Sequence, residues 1–101
     1  MRIYVSGPMT GMPELNFPEF HRVANELNAD GHIAVNPAEI DHGSDPTWED
    51  CLRRDIAALI TCDAVVFLPG HEHSRGARLE RHIATELGMQ LMYRSEVTTD
   101  E

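Results

Sequence analysis

Four short apolar runs, separated by stretches of helical periodicity, constrain this chain more than anything else in it. They are Ile3-Tyr4-Val5, Ile33-Ala34-Val35, Ala64-Val65-Val66-Phe67-Leu68 and the weaker Leu91-Met92-Tyr93. Short runs of this kind, unbroken by polar residues, are what strands covered on both faces look like. Between the first two, Phe20, Val23, Ala24 and Leu27 share one helical face and Gly31 supplies a stop. Trp48, Leu52, Ile56, Leu59 and Ile60 signal a second helix, opened by Pro46 and Thr47, with Asp50 completing a capping box. A third is expected over residues 76–87, with Leu79, Ile83, Ala84 and Leu87 turned inward and Gly88 ending it. Strands alternating with helices pair in parallel through right-handed crossovers. The expected fold is therefore α/β: a small three-layer, Rossmann-like (flavodoxin-like) domain with a parallel sheet of about four strands. Residues 1–93 make up this single domain, and residues 94–101, RSEVTTDE, read as a polar C-terminal tail.

Sheets of this type bind ligands beyond the carboxyl ends of their strands, near the point where strand order reverses. That rule gathers the loops after Val5, Val35 and Leu68 around one crevice. Residues 36–46, rich in Pro, Asp, Gly and Ser, form the longest irregular stretch and are placed as its rim.

Charge and composition narrow the ligand. A formal net charge of -9 disfavours a nucleic-acid duplex or an anionic membrane as the main partner, leaving a small molecule. All eight basic residues are arginine. Without lysine there is no P-loop of the usual type and no Schiff base on the protein's own side chains. Cys51 and Cys62 lie in apolar stretches, and no run approaches the roughly 20 residues of a membrane span, so a soluble protein of a reducing cytoplasm is expected.

Three segments carry residues suited to chemistry. The first is YVSGPMTG, where Ser6, Gly7, Pro8, Met9, Thr10 and Gly11 follow the first strand. Its glycines do not have the dinucleotide spacing, and Pro8 removes a backbone donor; a tight strand-to-helix turn explains it equally well. The second is HEHSRGARLERHIA, where Ser74 and Gly76 stand at a helix start that favours an anion such as phosphate. Glu80 follows a turn later, beside the stripe of Leu79 and Ile83, near the crevice mouth. Arg75, Arg78 and Arg81 recur at helical spacing, as an anion site or as a solvated face pairing with Glu72 or Glu86. His71, Glu72 and His73 lack a third ligand at a diagnostic spacing, so no metal is assigned. The third segment is RRDIAALITCDAVVFL, in which Asp55 stands beside an apolar stripe. A carboxylate there is expensive unless paired or used; Arg53 or Arg54 is a possible partner.

Taken together, IYVSGPMTG, DIAALITCDAVVFL and SRGARLE resemble the nucleoside 2-deoxyribosyltransferase-like family. That family includes the 2'-deoxynucleoside 5'-phosphate N-hydrolases and short phage and bacterial members catalogued as a domain of unknown function. The resemblance extends over nearly all of residues 2–93. It implies hydrolysis or transfer at an N-glycosidic bond, with Glu80 as the nucleophile that holds the sugar and Asp55 as the acid assisting the leaving base. By the same resemblance, Tyr4 and residues 6–11 lie along the sugar, and Ser74 with the Gly76 amide receives a 5'-phosphate. No cofactor is implied. The expected partners are a nucleotide or nucleoside and a second copy of the chain in a homodimer pairing the second and third helices. Family members commonly complete the pocket with a C-terminal segment of a neighbouring subunit, whereas this chain ends soon after its fourth strand. The alternative is a nucleotide-binding protein, a sensor or sequestering protein, that uses the same crevice without turnover.

Overall fold

The computed structural model describes residues 1–94. Four strands, β1 (Arg2–Ser6), β2 (Ile33–Val35), β3 (Ala64–Phe67) and β4 (Gln90–Tyr93), alternate with three helices, α1 (Phe17–Ala29), α2 (Trp48–Leu59) and α3 (Arg75–Glu86). The sheet is wholly parallel in the order β2-β1-β3-β4. Tyr4 stands opposite Val35 on one side and Val65 on the other, and Ser6 opposite Phe67. This is the expected flavodoxin-like arrangement, with strand order reversing between β1 and β3.

Alternation along the strands divides the core into two layers. Ile3, Val5, Ala64, Val66 and Leu68 pack under Phe20, Val23 and Leu27 of α1. On the opposite face Tyr4, Val65 and Phe67 pack with Leu59 of α2, Cys62 and Ala84 of α3. The central strands β1 and β3 are buried almost throughout, but the edge strands are not: Ile33 is 57% exposed. Coverage on both faces, expected for all four, holds only where neighbours flank the strand.

The first helix buries Phe20, Val23, Ala24 and Leu27 as expected. Thr47 caps α2, and the reciprocal bonds with Asp50 complete the capping box. The inward faces of α2 and α3 agree with the sequence reading at Leu52, Leu59 and Ala84 and correct it at other positions. In α2 the buried positions are Leu52, Asp55 and Leu59, with Ile60 exposed; in α3 they are Ala77, Glu80 and Ala84, with Leu79 and Leu87 exposed. Each set is spaced i, i+3, i+7, a single face of a helix. The two acids thus sit at the centre of their buried faces rather than beside them. Small alanines on either side of Glu80 leave room for its carboxylate to reach the sheet.

Gly7 shows what the first loop's glycine is for. A Cβ there would lie 2.8 Å from Leu68 Cβ, so the missing side chain lets the ends of β1 and β3 close on each other. The expected polar tail lies outside the described residues except for Arg94. Its amide donates to the Phe67 carbonyl, and its guanidinium bonds Glu26 of α1 at 2.6 Å.

Candidate functional site

A cavity of about 560 Å³ opens at the carboxyl ends of β1 and β3, where strand order reverses. Its size suits a small organic ligand. Three walls meet there: Gly7 to Thr10 and Leu15 from the β1–α1 connection; Trp48, Cys51, Leu52 and Asp55 from α2; and Ser74 to Ala77 with Glu80 from the start of α3. Tyr4 reaches it from β1, and Pro37 and His73 stand at its edges.

Glu80 sits at the base, 6% exposed. The Tyr4 hydroxyl donates to Oε2 and the Ser6 hydroxyl to Oε1, each at 2.6 Å. Residues two apart on a strand face the same side, so the run Tyr4-Val5-Ser6 delivers two hydroxyls to one carboxylate. Burial is the main cause that raises the Glu80 carboxyl, to about 7; the two hydroxyls pull against it and the nearby Asp55 charge adds to it. Near neutral pH the group therefore exists in both ionisation states. Burial, and then the Glu80 charge, hold the Tyr4 phenol well above its usual range, so it stays a neutral donor.

Asp55 faces the same space from α2. Its Oδ1 lies 2.7 Å from Nε2 of His42, which belongs to the irregular stretch between β2 and α2. The suggested partners Arg53 and Arg54 are not the ones used; neighbours in sequence point away from each other on a helix. Burial raises this carboxyl too, opposed by the bond and charge of His42. The residue missed from the sequence is His42, thirteen positions from Asp55, where no periodicity links a loop to a helix.

At the third wall Ser74 is the N-cap of α3, its Oγ accepting from the Ala77 amide at 3.2 Å. No hydrogen bond occupies the Arg75 or Gly76 amides among the described residues, so both are available to an anion. The Arg75 guanidinium lies 3.8 Å from the centroid of the Trp48 ring, joining the starts of α2 and α3. Arg78 donates to the Glu72 carbonyl, and neither arginine forms a salt bridge with Glu72 or Glu86. His71 packs its ring at a tilt against those of Phe67 and Tyr93. Among the described residues no three His, Cys, Asp or Glu side chains are grouped as a metal would need.

The structure thus brings Tyr4, Gly7, Pro8, Met9, Thr10, Asp55, Ser74, Gly76 and Glu80 to one cavity. Ser6 stands behind Glu80, 1% exposed, and Gly11 lies outside the cavity lining.

The fold and the site define a class: a parallel α/β domain with two buried carboxylates facing a crevice at its switch point. Within that class the chain belongs to the DUF4406 family, a domain of unknown function whose profile matches residues 1–93. No curated protein matches it. Among solved structures it is similar to a 2-deoxyribosyltransferase from Bacillus psychrosaccharolyticus, with a TM-score of 0.76 at 18% identity over 98% of this chain and 77% of that one. It is also similar to the CMP N-glycosidase BcmB of Clostridium botulinum, with a TM-score of 0.64 at 20% identity over 92% of this chain and 67% of that one. These likenesses establish the shared fold.

Proposed function

We propose that this protein cleaves or exchanges the N-glycosidic bond of a nucleotide or nucleoside through a covalent glycosyl ester on Glu80. The observation that carries the reading is the Glu80 carboxylate itself, buried at the cavity base with both oxygens gripped by hydroxyls. Asp55 faces the same cavity. Retaining glycosyl transfer needs one carboxylate to attack C1' and a second group to give and retrieve a proton. Glu80 takes the first role and Asp55 the second. Tyr4 and Ser6 keep Glu80 aimed, while Gly7, Pro8, Met9 and Thr10 flank the sugar.

A 5'-phosphate fits the start of α3, where the Ser74 hydroxyl and the Arg75 and Gly76 amides converge and the Arg75 guanidinium is close by. The names of the two structural neighbours, a 2-deoxyribosyltransferase and a CMP N-glycosidase, support substrates of this class. A homodimer pairing α2 with α3 belongs to the same proposal. A mainly apolar groove between these helices, lined by Trp48, Leu52, Ile56, Ala57 and Leu79 together with Glu49 and Arg53, is open to a second copy.

The test is a panel of deoxynucleosides and their 5'-monophosphates incubated with the protein and analysed for free base. Monophosphates should release base, and protein quenched during turnover should carry a sugar adduct on the peptide containing Glu80. Glu80→Ala should bind the same compounds and release nothing. Undiminished release by folded Glu80→Ala would overturn the mechanism, and tight binding without release by any variant would replace it with the sequestering alternative.

A further inference from the structure

The contact between His42 and Asp55 is not explained by the fold alone. His42 comes from a stretch without regular structure, yet its side chain is only 19% exposed and that of Asp55 11%. The bond leaves the two carboxylate oxygens unlike each other. Oδ1 is taken by the ring, whereas Oδ2 has no partner among the described residues. Since no buried side-chain polar atom there lacks a partner, Oδ2 must be open to solvent, and Asp55 lines the cavity. The ionisable groups facing Asp55 are Tyr4 from β1, Glu80 from α3 and Cys51 from its own helix, all acids. His42 supplies the basic group.

We infer that His42 is a positioning residue acting through Asp55: its ring fixes Oδ1, presents Oδ2 to the cavity and shares the proton that Asp55 passes to the departing base. This rests on the N-glycosidic reading of the site. In the first step a Glu80 oxygen forms a bond to C1' while the C1'–N bond breaks and its electron pair goes to the base nitrogen. The proton shared by Asp55 and His42 moves to the base, leaving the carboxylate beside a neutral ring. In the second step a water oxygen bonds to C1' and the ester pair returns to Glu80. One water proton goes back to the Asp55–His42 pair, and the sugar keeps the hydroxyl.

The experiment joins a reading of the carboxyl to a reading of the reaction. Carboxyl ¹³C NMR follows the Asp55 titration in the unmutated protein, His42→Ala and His42→Gln, with Asp55→Asn assigning the signal. Asp55 should titrate at higher pH in His42→Ala, and at an intermediate pH in His42→Gln, which keeps a donor but no charge. Base release is measured on a deoxynucleotide with a poor leaving base and one with a good leaving base. His42→Ala should lose about 10- to 100-fold in kcat on the poor leaving group and much less on the good one. KM should hold, and added imidazole should recover part of the loss. The double variant with Asp55→Asn should be no slower than Asp55→Asn alone. If His42→Ala does not fold, His42→Gln carries the same comparisons. An unmoved Asp55 titration, equal losses on both substrates, or an additive double variant would overturn the inference. A shifted titration with no base release from the unmutated protein would uphold the positioning and overturn the reaction itself.

Discussion

Glu80 shows at the level of one residue how a site is charged against the fold that carries it. Its folded value of about 7 lies above the ordinary 4.5, so the folded state binds the proton more tightly than the unfolded chain does. Below about pH 4.5 both states hold the proton and the burial has no pH-dependent cost. Between about pH 4.5 and 7 the unfolded chain has released the proton that the folded protein still holds, so stability falls by about 3 kcal/mol at roughly 1.4 kcal/mol per pH unit and levels off above 7, where both states are ionised. Glu80→Gln keeps the shape and removes the charge. Urea unfolding should therefore find it more stable than the unmutated protein at pH 8 and nearly equal at pH 4.5. The same ionisation sets the activity: base release from a good leaving group should climb with pH through about 7. Asp55→Asn should move that rise to lower pH, because the Asp55 charge is among the causes that hold Glu80 up. A rise that stays in place in Asp55→Asn would show the two carboxylates to be uncoupled.

Helix starts carry the next level of organisation. Both α2 and α3 begin at the cavity, capped by Thr47 and Ser74. Ser74 has two tasks that a single substitution separates by measurement. As a cap, its loss should lower stability by about 1 kcal/mol, read by thermal unfolding. As a phosphate donor, its loss should narrow the preference for monophosphates over nucleosides, because a hydrogen bond to a charged group contributes roughly 1.5 to 3 kcal/mol. Ser74→Ala with lower stability and an unchanged preference would leave the cap as its whole role. The stack of Arg75 on Trp48 ties the two helix starts together, so the mouth of the cavity and the α2–α3 groove share a wall in Trp48.

At the scale of the whole molecule, the outer side of α2 and α3, the helices that wall the cavity, carries an exposed groove. Pairing that side with a second copy would cover Leu79, 38% exposed, and the groove around Ile56. Sedimentation at micromolar concentration should give a dimer, and Leu79→Glu should return it to a monomer by placing a charge against apolar surface. A clean monomer that binds nucleotide normally would remove the second copy from the proposed site. The layered architecture, the parallel sheet and the first helix's buried face were legible in the sequence. Strand runs and 3.6-residue periodicity are local, and local patterns survive without knowledge of what they pack against. The capping box at Thr47 and Asp50 was legible for the same reason. What the pattern could not show was which face of α3 turned inward. Ala84 is inward in pattern and structure alike. Leu79 and Leu87 outweigh Ala77 in any hydrophobic count, yet Ala77 and Glu80 are the residues buried beside Ala84, where Glu80 meets the hydroxyls of Tyr4 and Ser6. That bond spans more than seventy residues, and the bond between His42 and Asp55 joins a loop to a helix. Periodicity records what each element could bury by itself. Only the tertiary structure decides which polar groups meet inside, because that depends on partners supplied from elsewhere in the chain.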